Sequence, residues 1–142
     1  MYKTTWEIYV MHKTLTIILL LFSLMSSYPS YAEWSKIDKD SAKDYYLDYD
    51  KINSKHKYLY YEYLENYTTE KTKGLSSKFH NQADCVGFRI KVIGISMYSK
   101  PMGEGDSETF KATDEWINLH PNSSIGKILK AVCHSWRNGV RI

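Results

Sequence analysis

The alternation of apolar and polar positions predicts a series of β-strands through the middle of the chain. The strongest segment is residues 57–67, where tyrosine and leucine recur at a period of two residues and rings fall on both faces. A second strong strand is expected over residues 85–99, with a bulge or bend at Gly94. Its apolar face would carry Val86, Phe88, Ile90 and Val92. Weaker strands are predicted over residues 33–37, 45–48 and 75–83.

One amphipathic helix is predicted near the C-terminal end. Residues 121–124 offer hydroxyl and amide side chains that can cap its first turn. Cys133 follows Leu129 by four residues and therefore shares the side of the apolar stripe. That stripe consists of Ile125, Ile128, Leu129 and Val132. A turn-rich, acidic loop precedes the helix at residues 101–106, and Trp116 is expected to pack near the helix and to be largely buried.

The N-terminal segment has the layout of a secretory signal peptide. Lys13 precedes a short apolar run over residues 15–22, and Ser30 and Ala32 are small residues at the positions that a signal peptidase reads. The run is shorter than the roughly 20 apolar residues that a membrane span needs. We therefore expect export after cleavage behind Ala32, with Met11 as an alternative start. A buried apolar helix is the competing interpretation.

Cleavage at that point leaves residues 33–142 as a single small domain. No cysteine stands at the predicted cut, so the mature protein is expected to be free of a lipid anchor, in the periplasm, secreted or at the cell surface. The mature chain carries 17 basic and 15 acidic side chains, interleaved along the sequence. This balance indicates neither nucleic acid nor an anionic membrane as a partner. No membrane span is expected after signal cleavage.

Tyrosine is the unusual element of the composition, with 13 residues in the chain. Because a tyrosine ring can be packed while its hydroxyl stays wet, the cluster between Tyr45 and Tyr67 favours an aromatic sheet core with one wet face. Stacking of these rings on sugars or peptides is the functional alternative.

The chain has two cysteines, Cys85 and Cys133. In an oxidising compartment an even pair indicates a disulfide. A metal site would need further ligands such as His80 and His134, but the spacing fits no zinc pattern. A reactive thiol is a weaker alternative, because unpaired low-pKa cysteines rarely survive in an oxidising space.

The sequence offers little that is typical of an enzyme. Ser96, His80 and Asp84 could in principle form a hydrolytic triad, but no nucleophile elbow marks the serine. Carboxylates between Asp44 and Asp50 lack the ligand order and the glycine of an EF-hand. We therefore expect a protein without catalytic activity, cofactor or metal.

The order of these features resembles the surface-adhesin protein E family of small exported bacterial proteins. The resemblance covers almost all of residues 33–133. The matching positions are Glu33-Trp34, Tyr45–Asp48, the tyrosine strand 57–63, Ser76–Lys78, Asp84-Cys85, Phe88–Ile90, Met97-Tyr98, Pro101–Gly105, Trp116 and Cys133. The resemblance implies an α+β fold: an antiparallel sheet of about six strands, with the C-terminal helix packed on one face and tied there by a Cys85–Cys133 bond.

The resemblance also implies a function. The family is named for adhesion to host extracellular-matrix and serum proteins such as laminin, vitronectin and plasminogen, through the strand region around the first cysteine. Here that region is residues 73–89, and the candidate ligand-binding side chains are Lys73, Lys78, His80 and Arg89. The expected function is thus an exported, non-catalytic module that binds a protein. A periplasmic accessory or structural protein with an envelope partner is the alternative, a small secreted hydrolase is the third reading, and a second copy of the chain is a further candidate partner.

Overall fold

In a computed structural model, the described residues are 10, 12–18, 33–69, 71–72 and 75–138. The chain divides into two compact units, Met1–Tyr31 and Ala32–Ile142. In the first unit, residues 12–18 are helical. Within the described parts of the chain, no helix is both long enough and apolar enough to cross a membrane. The expected cleavage position behind Ala32 lies outside the described residues.

The second unit is an antiparallel sheet with one α-helix, so the expected α+β fold is confirmed. Its described strands follow the order β1-β2-β4-β5-β6-β7, while the short β3 pairs with β4 and the short β8 pairs with β6. The strands are β1 (Trp34–Lys39), β2 (Lys43–Asp48), β3 (Asn53–Lys55), β4 (Tyr58–Tyr67), β5 (Ser76–Asp84), β6 (Arg89–Tyr98), β7 (Ser107–Lys111) and β8 (Trp116–Asn118). Helix α1 spans Ser124–Arg137, and short 3-10 helices form at Tyr49–Lys51 and Pro101–Gly103.

The core lies between the sheet and α1, because one face of each is apolar. Alternation along β4 turns Leu59, Tyr61 and Tyr63 toward the helix, and all three are buried. The matching stripe of α1, Ile128, Leu129 and Val132, is fully buried against them. Each such side chain contributes about 1.5–3 kcal/mol when it is fully buried. The tyrosines thus form an aromatic core, as the favoured interpretation of the tyrosine cluster predicts.

Helix α1 begins where its capping residues predict and is fastened by two further contacts. Ser123 Oγ accepts a hydrogen bond from the backbone N–H of Gly126 at 3.0 Å. Lys127 pairs with Asp38 of β1 at 2.9 Å. The bond between Cys85 and Cys133 links residues 48 positions apart, which confirms the disulfide.

The predicted strand over residues 85–99 is correct only from Arg89 onward. Residues 85–88 form a turn, because the Asp84 carboxylate accepts hydrogen bonds from the backbone N–H groups of Val86 and Gly87 at 3.2 and 3.1 Å. Val86 is therefore 99% exposed instead of lying on an apolar face. The irregularity expected near Gly94 is confirmed, since the β5–β6 register shifts opposite that residue.

Two features near the C-terminal end of the sheet differ from the prediction. Strand β7 forms directly after the acidic loop, where no strand was predicted. Trp116 does not pack near α1: it pairs with Lys91 of β6, and its ring lies against Tyr58 with 5.2 Å between the ring centroids. The next residue of β8, Ile117, pairs with Ile90, whose side chain is buried in the core. Because successive side chains of a strand point to opposite faces, Trp116 lies on the face of the sheet that points away from α1.

Candidate functional site

The face of the sheet that points away from α1 carries the candidate site, and we call it the outer face. Because Leu59 and Tyr61 of β4 point to the core, Tyr58, Tyr60 and Glu62 point to the outer face. Residues that pair across neighbouring strands point to the same face, so the partners of these residues on β5 and, in turn, on β6 also lie on the outer face.

Strands β5 and β6 place three of the four predicted ligand-binding residues on this outer face. Lys78 and His80 have the same parity on β5, and Arg89 faces Asp84 at the start of β6. Lys78 and His80 are neighbours on this face of β5. Arg89 pairs with Asp84, which lies four residues beyond His80, so Arg89 is roughly 13 Å from His80 along the strand at the usual rise per residue. Lys73 lies outside the described residues. The predicted residues thus share a face but form two separate groups.

The first group is the Lys78 cluster, formed by Lys78, Trp34 and Tyr98. The ammonium of Lys78 lies 5.6 Å from the ring centroid of Trp34 and 4.8 Å from that of Tyr98. Both distances are within the range of a cation–π interaction. Lys78 forms no ion pair with any acidic residue in the described part of the chain. Its charge is therefore held by rings and is not neutralised.

The loop after β6 folds back across the outer face beside this cluster. Asn66 Oδ1 accepts a hydrogen bond from the backbone N–H of Met102 at 2.8 Å. Ser76 Oγ accepts another from the N–H of Gly103 at 2.9 Å and donates to the carbonyl of Lys100 at 2.6 Å. Two strands thus fix the loop through side chains that are themselves set by the sheet.

The second group is the Trp116 cluster, formed by Trp116, Tyr58, Arg89 and Lys91. The guanidinium carbon of Arg89 lies 4.8 Å from the Trp116 ring centroid and the Lys91 ammonium lies 5.2 Å from it. Arg89 Nε also donates to Asp84 Oδ2 at 2.9 Å. The pKa of Asp84 is lowered, first by the hydrogen bond from the Gly87 N–H and also by Arg89, so this carboxylate stays charged beside the cluster.

His80 lies between the two clusters and is bound to a carboxylate. Its Nδ1 is 3.2 Å from Glu62, which also accepts from Lys51 at 3.3 Å. These side chains line an open depression of about 450 Å³ together with Tyr60. Its lining mixes polar side chains with Tyr60 and Tyr61, and it includes no member of either aromatic cluster.

The residues that a hydrolytic triad would need are occupied elsewhere. Ser96 is buried and shares a hydrogen bond with Thr109 at 2.9 Å, while Asp84 holds Arg89 and His80 contacts Glu62. Among the described residues, no group of three or more His, Cys, Asp or Glu side chains is arranged to hold a metal ion. The outer face combines aromatic rings with cations, and aromatic residues and arginine are enriched at protein interfaces.

The sequence had indicated Lys78 and Arg89 of these two clusters, but neither Lys91 nor the rings. Trp34, Tyr58, Tyr98 and Trp116 belong to four different strands, and only their shared parity in the sheet brings them together. A signal was available in β4 and β5, where alternation alone assigns each residue to a face. Trp116 lies on a strand of three residues, and the pairing of that strand with β6 determines which face of the sheet the ring occupies. A pattern of three residues is too short to predict this from sequence.

Comparison with known proteins identifies the family to which this fold belongs. The model of the family described as surface-adhesin protein E matches residues 34–134. The chain belongs to the surface-adhesin protein E family. The match spans the whole sheet and most of α1, including both cysteines. No curated protein sequence matches this chain significantly.

Solved structures of Haemophilus influenzae protein E share the fold of this family member. One matches with a TM-score of 0.59 and 14% identity, covering 78% of this chain and 90% of that one. A second crystal form gives a TM-score of 0.57 and 15% identity, over 71% and 94% of the two chains. Protein E from non-typeable Haemophilus influenzae gives 0.56 and 14%, over 80% and 82%. At 14–15% sequence identity, these comparisons show that this chain and protein E share a fold.

Proposed function

We propose that this protein is an exported, non-catalytic module that binds a host extracellular-matrix or serum protein through its outer face. The observation that carries the proposal is that the Lys78 and Trp116 clusters lie, half-buried, on one sheet face. Tryptophan, tyrosine and arginine are the residues most enriched at the energetic centres of protein interfaces. Membership of an adhesin family supports the same class of function.

The chemistry of the face favours a protein over a polyanion as ligand. Most of its cations already have acidic partners, as in Lys36 with Asp44 at 2.7 Å and Lys91 with Asp114 at 2.7 Å. Lys78 is the exception among the outer-face residues discussed above. A surface with many rings and few unpaired charges gains affinity mainly by burying aromatic area, and its charges contribute mainly to specificity.

Binding to immobilised laminin, vitronectin and plasminogen tests this proposal. The double variant Trp116→Ala/Arg89→Ala should weaken binding to whichever of the three the wild type binds, by about 30-fold or more if these are interface hot spots. The matched control Trp136→Ala/Arg137→Ala removes the same residue types from the exposed side of α1, where Trp136 is 39% exposed. The control should bind as the wild type does. Equal binding by both double variants would refute the role of the outer face.

Export and location are a separate part of the proposal. The signal-like segment supports cleavage behind Ala32, and the disulfide supports an oxidising compartment. N-terminal sequencing of protein recovered outside the cytosol should begin at Glu33. Protease treatment of intact cells should release a surface-displayed protein, whereas protection until the outer membrane is opened would identify a periplasmic accessory protein instead.

We also propose a second copy of the chain as a partner, along strand β7. Helix α1 lies over β1, β2 and β4, so it leaves the far end of the sheet uncovered. There Met97 is 48% exposed and Phe110 is 42% exposed on the same side. Among the described strands, β7 pairs with β6 alone, and an edge strand of this kind is a template for pairing with another chain.

A further inference from the structure

We propose that a groove beside the disulfide binds an aliphatic carboxylate, that is, a fatty-acid-like molecule with one anionic head and an apolar tail. The groove lies between α1 and the turn that precedes β6, away from the outer face. Its floor includes Tyr49, Phe88 and the Cys85–Cys133 bridge, and Lys130 and Arg137 stand at its rim. We call it the disulfide groove.

The floor of the disulfide groove suits an apolar tail. The lining is predominantly apolar, and the open volume is about 770 Å³. Sites for small organic ligands usually measure about 300–1,000 Å³ and are lined in this way. An apolar chain laid against Tyr49, Phe88 and the bridge would remove both surfaces from water.

The backbone conformation of Phe88 explains how its ring comes to line the groove. Its φ angle is 48°, a left-handed conformation that a bulky side chain adopts only when its surroundings impose it. The Phe88 carbonyl accepts a hydrogen bond from the N–H of Leu119 at 3.3 Å, which ties this turn to the segment after β8. The ring of Phe88 therefore lines the groove and does not continue the alternation of β6.

The rim of the disulfide groove supplies charge for an anionic head. Lys130 and Arg137 are seven residues apart on α1, so they lie on the same side of the helix about 10 Å from one another. Both are exposed, and neither forms an ion pair with an acidic side chain among the described residues. Lys127 on the same helix contrasts with them, because Asp38 already neutralises it at 2.9 Å. Two unpaired cations over an apolar floor are complementary to a molecule that is anionic at one end only.

Calorimetric titration of the purified protein with sodium dodecanoate, below its micelle concentration, tests this assignment. We expect one bound molecule per chain, and we expect affinity to rise roughly fourfold per added CH₂ from octanoate to dodecanoate while the tail stays in the groove. Dodecyltrimethylammonium, with the same tail and a cationic head, should bind at least tenfold more weakly.

Two charge-reversal variants place the binding on the molecule. Lys130→Glu/Arg137→Glu should weaken dodecanoate binding at least tenfold, and because both residues are exposed the fold should survive, as a circular dichroism melt would verify. The control Lys39→Glu/Lys55→Glu makes the same charge change at exposed positions that do not line the groove and should bind as the wild type does. No binding of dodecanoate, equal binding of the cationic amphiphile, or equal loss in both variants would overturn the proposal.

Discussion

A single glycine allows the loop beside Lys78 to close over the outer face. Gly103 has φ +72°, and a Cβ placed on it would overlap Cε of Lys78. The left-handed backbone favours glycine here, because that region is costly for other residues, and a Cβ would in addition displace the end of the Lys78 side chain from its place in the cluster.

Replacing this glycine should therefore destabilise the protein. We expect Gly103→Ala to lower the free energy of unfolding by about 1–2 kcal/mol from the backbone cost alone. Urea unfolding measures the change. Gly94→Ala is the matched control, because a Cβ there meets nothing closer than the Phe110 carbonyl at 3.7 Å. If both variants lost the same free energy of unfolding, neither the positive φ nor the limited space at Gly103 could explain the destabilisation.

Two aspartates should make stability depend on pH with opposite signs. Burial raises the pKa of Asp48, which is 1% exposed, so its ionised form is less favourable in the folded protein than in the unfolded one. This group therefore costs stability as pH rises through the interval between its unfolded and folded pKa values. Asp48→Asn keeps an oxygen that can accept from the Asp50 N–H, now bound at 3.1 Å. The variant should be more stable than the wild type at neutral pH, and the gain should vanish below the unfolded pKa near 4.

Asp84 is the control with the reverse sign. Its lowered pKa means that the ionised form contributes stability above the unfolded pKa, and that this contribution is lost as pH falls through the lower folded pKa. Asp84→Asn should therefore destabilise the protein at neutral pH and have little effect in strong acid. Thermal melts of both variants between pH 2 and 8 would reveal the crossing trends, and parallel trends would contradict these assignments.

At the scale of elements, the disulfide is expected to be the strongest constraint on α1. The bridge closes a loop across 48 positions, for which the chain-entropy model gives about 4 kcal/mol. We expect the double variant Cys85→Ser/Cys133→Ser to lose stability of that order and to let α1 detach first, because the helix then keeps non-covalent contacts such as its apolar stripe and the Lys127–Asp38 pair but loses its covalent tie. Thermal melting measures the loss, and amide exchange along α1 measures the detachment. If the reduced and oxidised proteins melted together, the bridge would have no such role.

Elements with a long, regular pattern could be predicted, and short or locally bonded ones could not. Strand β4 and helix α1 each carry their period over ten or more residues, so their type and their buried faces follow from sequence. The turn at residues 85–88 was not predicted, because the alternation of apolar residues there is typical of a strand. The hydrogen bonds that the Asp84 carboxylate accepts from the backbone stabilise a turn instead. Strand β7 was not predicted, because it is exposed along its whole length and therefore lacks a buried, apolar face. Its pairing with β6 stabilises it as a strand.

For the whole molecule, the uncovered end of the sheet makes a prediction about assembly. Phe110→Lys places a charge on exposed apolar surface beside Met97, so it should reduce self-association at the β7 edge without unfolding the monomer. Light scattering behind size exclusion would report a dimer for the wild type and a monomer for the variant. A monomeric wild type at high protein concentration would remove the second copy from the partners proposed for this protein.

The candidate site shows the same division between what sequence reveals and what it does not. The family resemblance marked the segment that holds Lys78, His80 and Arg89 as a candidate, but it could not predict how these side chains are grouped. The register of β5 against β6 puts Arg89 beside Trp116, whereas Lys78 meets Trp34 from the opposite end of the sheet.

The sequence by itself determined the class of the fold, the aromatic core, the buried stripe of α1 and the pairing of its two cysteines. These depend on local period and on composition, which every short segment carries with it. The tertiary structure alone decided which rings join which cations, that Trp116 lies opposite α1, and that a groove opens beside the bridge. Such contacts join residues far apart in the chain, and a shift of one position in strand register would exchange the two faces of the sheet.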